Sequence, residues 1–198
     1  MMCDKLEYTA KYLAILFLLI DMRSTSLDLP REELKRHFAQ LKTRQDVTKL
    51  LQVSDEQLRY HLYIYPKYKA YTTFTIPKKS GGHRLISTPK TSLKILQHKL
   101  NQVLSSVYKI KPSVHGFALQ KSIVTNANRH LKQQYILNLD LEDFFPSINF
   151  GRVRGLFLAQ PYNCTKEVAT ILAQICCYNN PHIPHIFCPI KNYGLEPR

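Results

Sequence analysis

Residues 135–148 read YILNLDLEDFFPSI, and the reading of this stretch decides the fold. Tyr135, Leu137, Leu139 and Leu141 alternate with Ile136, Asn138 and Asp140, the two-residue period of a β-strand. On that reading Asp140 projects from the less apolar face near the strand's end, with Glu142 and Asp143 following it. Phe144, Phe145 and Pro146 then break the strand. A carboxylate ending a buried strand, followed by aromatic rings, is where a sheet can hold a metal ion beside a substrate pocket. The same residues also describe a strand-to-helix turn with solvated acids. Taken alone they leave both readings open.

The charge distribution around the stretch is more specific. The net charge of the 198 residues is +14, which points to a polyanionic partner. Residues 57–139 contain 14 Lys and Arg, from Arg59 to Lys132, and no Asp or Glu. The other 14 basic residues are matched by 14 acidic ones, so the whole excess sits in that block. A solvated charged face mixes both signs, so the exclusion of acids favours a nucleic-acid surface. Tyr60, Tyr63, Tyr65, Tyr68, Tyr71, Phe74 and Phe117 are interleaved with the cations and offer rings for stacking on bases, although several must be core.

At 44% hydrophobic, the chain can bury a sizeable core in one domain or one and a half. Its cysteines, Cys3, Cys164, Cys176, Cys177 and Cys188, are odd in number, and no convincing secretion signal accompanies them, so a reduced cytoplasmic setting is expected. Residues 12–20, YLAILFLLI, form an apolar run too short for a comfortable membrane span. Asp21-Met22-Arg23 follows it in place of a small-residue cleavage site. A buried helix, or upstream sequence ahead of a true start at Met22, is favoured over a membrane anchor.

Periodicity orders the rest. Residues 31–52 read as helix with a break near Lys42 to Arg44, and Ser54 with Gln57 opens a capped helix through about Leu62. Tyr71 to Ile76 and His83 to Thr88 form a β-hairpin around Pro77-Lys78-Lys79-Ser80-Gly81-Gly82, with Lys78, Lys79 and Arg84 beside its glycines. Such a turn lets cations and backbone amides approach phosphates together, and it is also what an ordinary exposed hairpin looks like. Leu93, Leu96, Leu100, Val103, Leu104 and Val107 trace a helical stripe whose other positions carry Lys94, His98 and Lys99. His115-Gly116-Phe117 opens a loop, and Ser122 to His130 reads as a polar helix. Asn149 caps a helix through about Leu158, and Thr165 caps another with Val168, Ile171, Leu172, Ile175 and Cys176 at core spacing. From Asn179 onward no periodicity survives. Cys176, Cys177, His182, His185 and Cys188 are zinc-capable there, but their spacing matches no zinc pattern, and accidental composition is the favoured reading.

Three of these segments, in this order, resemble parts of a reverse transcriptase of the bacterial retron type. IPKKSGGHRLISTP (Ile76 to Pro89) resembles the fingers hairpin that grips the incoming triphosphate. HGF with Lys121-Ser122-Ile123 and Asn126-Ala127-x-x-His130 resembles the retron Asn-Ala-x-x-His signature, which speaks against a group II intron maturase lineage. LDLEDFFPSI resembles the first catalytic motif of the palm. The resemblance covers roughly residues 45–178. It implies an α+β fold with right-hand polymerase fingers and a partial palm. The implied divisions are a helical extension over 1–44, basic fingers over 45–134, a partial palm over 135–180 and an irregular tail over 181–198.

The same resemblance implies RNA-directed DNA synthesis from a structured template RNA, through an RNA/DNA hybrid, with dNTPs and Mg²⁺. Asp140 is then the metal-bridging carboxylate, with the Leu141 carbonyl as a further ligand. Lys78, Lys79, Arg84 and Asp143 face the triphosphate, and Phe145 lies under the deoxyribose and excludes a 2′-hydroxyl. Arg59, Lys94, His115, Lys121, Asn126, Arg129 and His130 are the expected nucleic-acid contacts, with helix packing the other reading for the two histidines. A retron effector protein and a role in phage defence are implied in the same way. The expected Leu-Pro-Gln-Gly and Tyr-x-Asp-Asp segments do not follow, and no Asp follows Asp143. The expectation is therefore of a truncated or frameshifted chain that does not polymerise alone, the rival being a non-catalytic RNA-binding fragment.

Overall fold

The computed structural model describes residues 26–65, 69–78, 81–116, 118, 120–141 and 144–177; the side chains of Phe145 and Pro146 are outside that description. Also outside are the YLAILFLLI run, Lys79, Asp143, Tyr68, Phe117 and the tail with its Cys/His cluster beyond Cys177.

Local signals set most of the helices. Helix α1 (Arg31–Ala39) follows Pro30, with Glu32 and Glu33 in its first turn and Arg36 and His37 in its last, complementing the helix dipole. The expected break follows, and α2 (Arg44–Leu51) starts on a capping box between Thr43 and Asp46. Asp46 Oδ2 accepts from the backbone N–H of Lys42 and Thr43, at 3.0 and 2.9 Å, and these bonds hold its carboxyl below the usual range. Ser54 and Gln57 form the expected box and open α3 (Asp55–Arg59). The chain then widens into a π-helical turn over Tyr60–Ile64, closed by Tyr65 N–H to the Tyr60 carbonyl at 2.7 Å, rather than continuing as α-helix to Leu62.

Strands β1 (Tyr71–Pro77) and β2 (His83–Pro89) pair antiparallel, Tyr71 opposite Pro89 and Ile76 opposite Arg84, as the hairpin pattern requires. Helix α4 (Thr91–Val107) carries the expected stripe inward. Helix α5 (Ile123–Ala127) is shorter than the polar helix expected through His130, which lies beyond it in a turn and is exposed. A short α6 (Phe144–Ser147) precedes α7 (Phe150–Leu158) and α8 (Lys166–Cys176), capped by Asn149 and Thr165 as expected.

The core is one cluster centred on α8. Val168, Ala169, Ile171, Leu172, Ala173 and Ile175 are buried against residues of α1 to α4 and α7, including Phe38, Val47, Leu51, Leu58, Leu96, Val103 and Phe157. Phe157 packs edge-on against Tyr162 at 5.5 Å between centroids, and Phe38 does the same at 5.9 Å. The molecule is thus mixed α and β, with the helices forming the core and the sheet at its margin.

Two expectations are corrected. Residues 135–141 are not a strand. A strand needs a neighbour for its backbone N–H and C=O groups, and among the described residues β1 and β2 pair only with each other. The alternating residues are accordingly exposed, Leu137 to 80% and Leu139 to 84%. Lys99, read among the polar positions of its helix, is buried to 3%. Its stem lies in the core and its Nζ donates to the Gln52 carbonyl at 3.1 Å, at the left-handed C-terminus of α2. Burial pushes the Lys99 ammonium pKa down, and Asp28 partly offsets this. No helix among the described residues is long and apolar enough to cross a membrane.

These assignments predict different costs for two truncations in urea unfolding. Phe157→Ala, at a site 2% exposed, should lose about 3–5 kcal/mol. Leu137→Ala should stay within about 0.5 kcal/mol of the parent, because its side chain is already in water.

Candidate catalytic segment and basic surface

The hairpin turn is built by its glycines. Lys78 N–H donates to the Gly82 carbonyl at 3.0 Å and Gly81 N–H to the Lys78 carbonyl at 3.1 Å. Gly81 and Gly82 hold φ of +90° and +79°, a backbone that side chains oppose, although open space surrounds both. Lys78 enters the turn and Arg84 leaves it one residue inside β2; both are exposed. An anion at this turn meets two cations with no acidic residue in the surrounding block.

The Asp140 segment is positioned from its C-terminal side. Ile148 packs against the core, Asn149 Oδ1 accepts from Arg152 N–H at 2.9 Å, and Val153 and Phe157 bury α7 against α8. Arg154 Nε donates to the Thr170 hydroxyl at 2.8 Å across the same pair. Ahead of this anchor, Ser147 Oγ donates to the Phe144 carbonyl at 2.7 Å and closes α6. Asp140 itself is exposed, and its Oδ1 accepts from Leu141 N–H at 2.9 Å, which leaves Oδ2 free of that local bond.

A second constellation lies between the hairpin and that segment. Ser122 and Thr125 form a reciprocal capping box on α5, Ser122 N–H to Thr125 Oγ1 at 2.9 Å and Thr125 N–H to Ser122 Oγ at 3.2 Å. His115 Nδ1 lies 2.9 Å from the same Thr125 hydroxyl. His115 Nε2 is closed off from solvent with no hydrogen-bond partner among the described residues. Desolvation lowers the His115 pKa, and the nearby positive charges of Lys121, Arg129 and His130 lower it further. Asn126, Arg129 and His130 are exposed, and Lys121 is half-buried.

Of the remaining expected contacts, Arg59 and Lys94 are exposed on α3 and α4. Two contacts were not read from the sequence. Lys90 Nζ reaches the Tyr65 hydroxyl at 3.2 Å and stands 5.9 Å from its ring centre, while Tyr60 and Tyr65 lie 5.3 Å apart. The His115–Thr125 bond was also missed; Ser122-x-x-Thr125 was its available signal, as a box that fixes the threonine hydroxyl.

Mg²⁺ takes oxygen ligands, commonly one or two carboxylates together with substrate phosphates. Asp140 fits as one such ligand, with Asp143 outside the described residues. No group of three or more His, Cys, Asp or Glu side chains converges among the described residues, so a complete protein cage for a metal is not assembled there.

Residues 76–153 match the family model described as reverse transcriptase (RNA-dependent DNA polymerase). The matched interval runs from the first residue of the fingers-like motif into α7. The chain is 43% identical over 123 residues to the retron Mx65 reverse transcriptase of Myxococcus xanthus, covering 61% of this chain and 29% of that protein. It is 33% identical over 162 residues to the retron Ec86 reverse transcriptase of Escherichia coli, covering 76% and 49%. It is 36% identical over 144 residues to the retron Mx162 reverse transcriptase of Myxococcus xanthus, covering 69% and 29%. The matched regions span about half or less of the length of these relatives.

The burial pattern predicts which cations a polyanion meets. A Lys78→Ala/Arg84→Ala double variant should elute from immobilised heparin at lower salt than the parent, each lost phosphate-type contact reducing the salt slope by roughly 0.7–0.9. Lys99→Met should elute with the parent, because that ammonium is buried against Gln52.

Proposed function

Because this chain carries retron-type reverse transcriptase sequence, we propose that it supplies the fingers and the start of the palm of an RNA-directed DNA polymerase that copies a structured RNA. The observation that carries the reading is the order of three motifs along the family-matched segment and its approaches: the glycine hairpin with Lys78 and Arg84, the His115 to His130 constellation, and Asp140 ahead of α7. The acid-free exposed block supports an RNA partner, since phosphate contacts supply most sequence-independent affinity.

In this reading the hairpin binds the β- and γ-phosphates of a dNTP through Lys78, Lys79 and Arg84. Asp140 and the Leu141 carbonyl hold Mg²⁺, Asp143 lies near the triphosphate, and Phe145 bars a ribose 2′-hydroxyl. Bound Mg²⁺ supplies activation of the primer hydroxyl and neutralises charge gathering on the α-phosphate. The protein's own part is to bring carboxylate and cations to opposite ends of one triphosphate, so that positioning and electrostatics carry the rate. Division into fingers over 45–134 and partial palm over 135–180, a retron effector as partner and a part in phage defence belong to the same proposal.

A second reading is favoured by the solvent-exposed setting of Asp140, which lies in neither strand of the described residues. On that reading the chain binds RNA without synthesis. One assay on the purified 198-residue chain, with a primed structured RNA, dNTPs and Mg²⁺, reads binding and synthesis together. The expected result is salt-dependent RNA binding with no primer extension, because one palm carboxylate does not complete a two-metal site. Template-dependent extension that is lost in Asp140→Ala would establish the catalytic reading for these residues alone.

A further inference from the structure

The hydrogen bonds around Thr125 assign the state of the His115 ring. Thr125 Oγ1 donates its single proton to the Ser122 carbonyl at 2.8 Å and accepts from Ser122 N–H at 2.9 Å. With that proton on the Ser122 carbonyl, the contact of 2.9 Å to His115 is met by the ring donating from Nδ1, the tautomer on which the inference below stands. The bare Nε2 is then closed off from solvent with no donor to it among the described residues. Protonation there would place a donor with no acceptor beside Lys121, Arg129 and His130, the charged groups that act on the ring, and this is why its neutral form is favoured.

A neutral ring closed at Nε2 is poorly suited to grip phosphate, but it is well placed to hold the groups that do. We infer that His115 is a positioning residue, whose Nδ1–H to Thr125 bond ties the loop after α4 to the first turn of α5 and thereby sets the arrangement of Lys121, Arg129 and His130 toward RNA phosphates. The bond spans ten residues, from before Lys121 to the turn that leads into Arg129 and His130. Lys121 N–H is fixed to the Ala118 carbonyl at 3.2 Å, Arg129 N–H to the Asn126 carbonyl at 3.0 Å and His130 N–H to the Ala127 carbonyl at 2.9 Å. The three backbones are therefore set locally, and the His115–Thr125 bond joins the two ends into one unit. The inference rests on the RNA-binding reading above and adds that His115 acts through Thr125.

The sign of the pH dependence follows from the depressed pKa. Because the folded ring's pKa is depressed, the stability it contributes is fully present above the ordinary imidazole range and declines as pH falls through that range to the ring's own lower value, while Nδ1–H stays a donor in either protonation state.

The test measures binding of a fluorescent RNA stem-loop to the full chain as a function of salt. His115→Ala and Thr125→Val should each weaken binding about tenfold and make the salt slope shallower by roughly one to two, the loss of about two phosphate contacts. The double variant should bind no more weakly than Thr125→Val, since that change already removes the His115 bond together with the hydroxyl's contacts to Ser122. His115→Asn, whose amide N–H can stand where Nδ1–H stood, should recover most of the slope, whereas His115→Gln should not. A parental slope in His115→Ala, additive losses in the double variant, or an Asn variant as weak as the Ala variant would each overturn the inference. Long-range ¹H–¹⁵N spectra of the histidine rings read the same bond without RNA. An Nδ1–H tautomer for His115 supports it and an Nε2–H tautomer overturns it. A parent chain that binds no RNA while showing the Nδ1–H tautomer would defeat the RNA-binding reading and leave the clip standing.

Discussion

The burial of α8 is the constraint on which the rest of the molecule depends. Val168, Ala169 and Ala173 are fully enclosed, and α1, α2, α4, the π-helical turn and α7 gather around that helix. Polar bonds then fix what the apolar contacts bring close. Gln97 donates both to the Ile175 carbonyl and to the Tyr71 hydroxyl, each at 2.9 Å, so α8, α4 and the first residue of the hairpin meet in one side chain. Thr165 Oγ1 donates to the Lys42 carbonyl at 2.9 Å and joins the start of α8 to the loop before α2. Hairpin and Asp140 segment are in this way carried on one helical core, one through α4 and the other through α7.

The charge follows the same division. Helices α1 to α3 hold acidic residues among their own cations, such as Asp55 paired with Arg44 at 2.7 Å. The block from 57 to 139 has no acids of its own, and the cations among its described residues are exposed with few exceptions. Lys99 is one, drawn inward to satisfy a carbonyl at the end of α2, and Lys90 is partly taken by Tyr65. Self-repulsion among like charges is tolerated only when the scaffold beneath is stable by other means, and the apolar cluster on α8 provides that. A surface of this kind favours association with a polyanion, which relieves the repulsion.

Sequence reading succeeded where the signal was local. The Ser54–Gln57 capping box, the Asn149 and Thr165 caps, the hairpin and the buried positions of α8 follow from residues within one or two turns of each other. It failed where the outcome depends on a distant partner. The alternation at 135–141 is a true period-two pattern, yet a strand exists only with a neighbour, and none among the described residues pairs with it. Lys99 sits among polar positions by spacing, and only the left-handed carbonyl at Gln52, 47 residues away, explains its burial. His115 was legible as a candidate but not its partner, because a loop of unknown course separates it from Thr125. Asp140 was legible as a chemical candidate. Its exposed setting outside any sheet was not.

The central claim is that the acid-free block is an RNA-binding surface carried by a core that does not itself touch RNA. Hydrogen–deuterium exchange of the full chain, with and without a structured RNA, tests it most directly. Added protection should concentrate in residues 78–90 and 115–132, with α7 and α8 unchanged. Binding accompanied by protection confined to segments outside residues 57–139 would contradict the account.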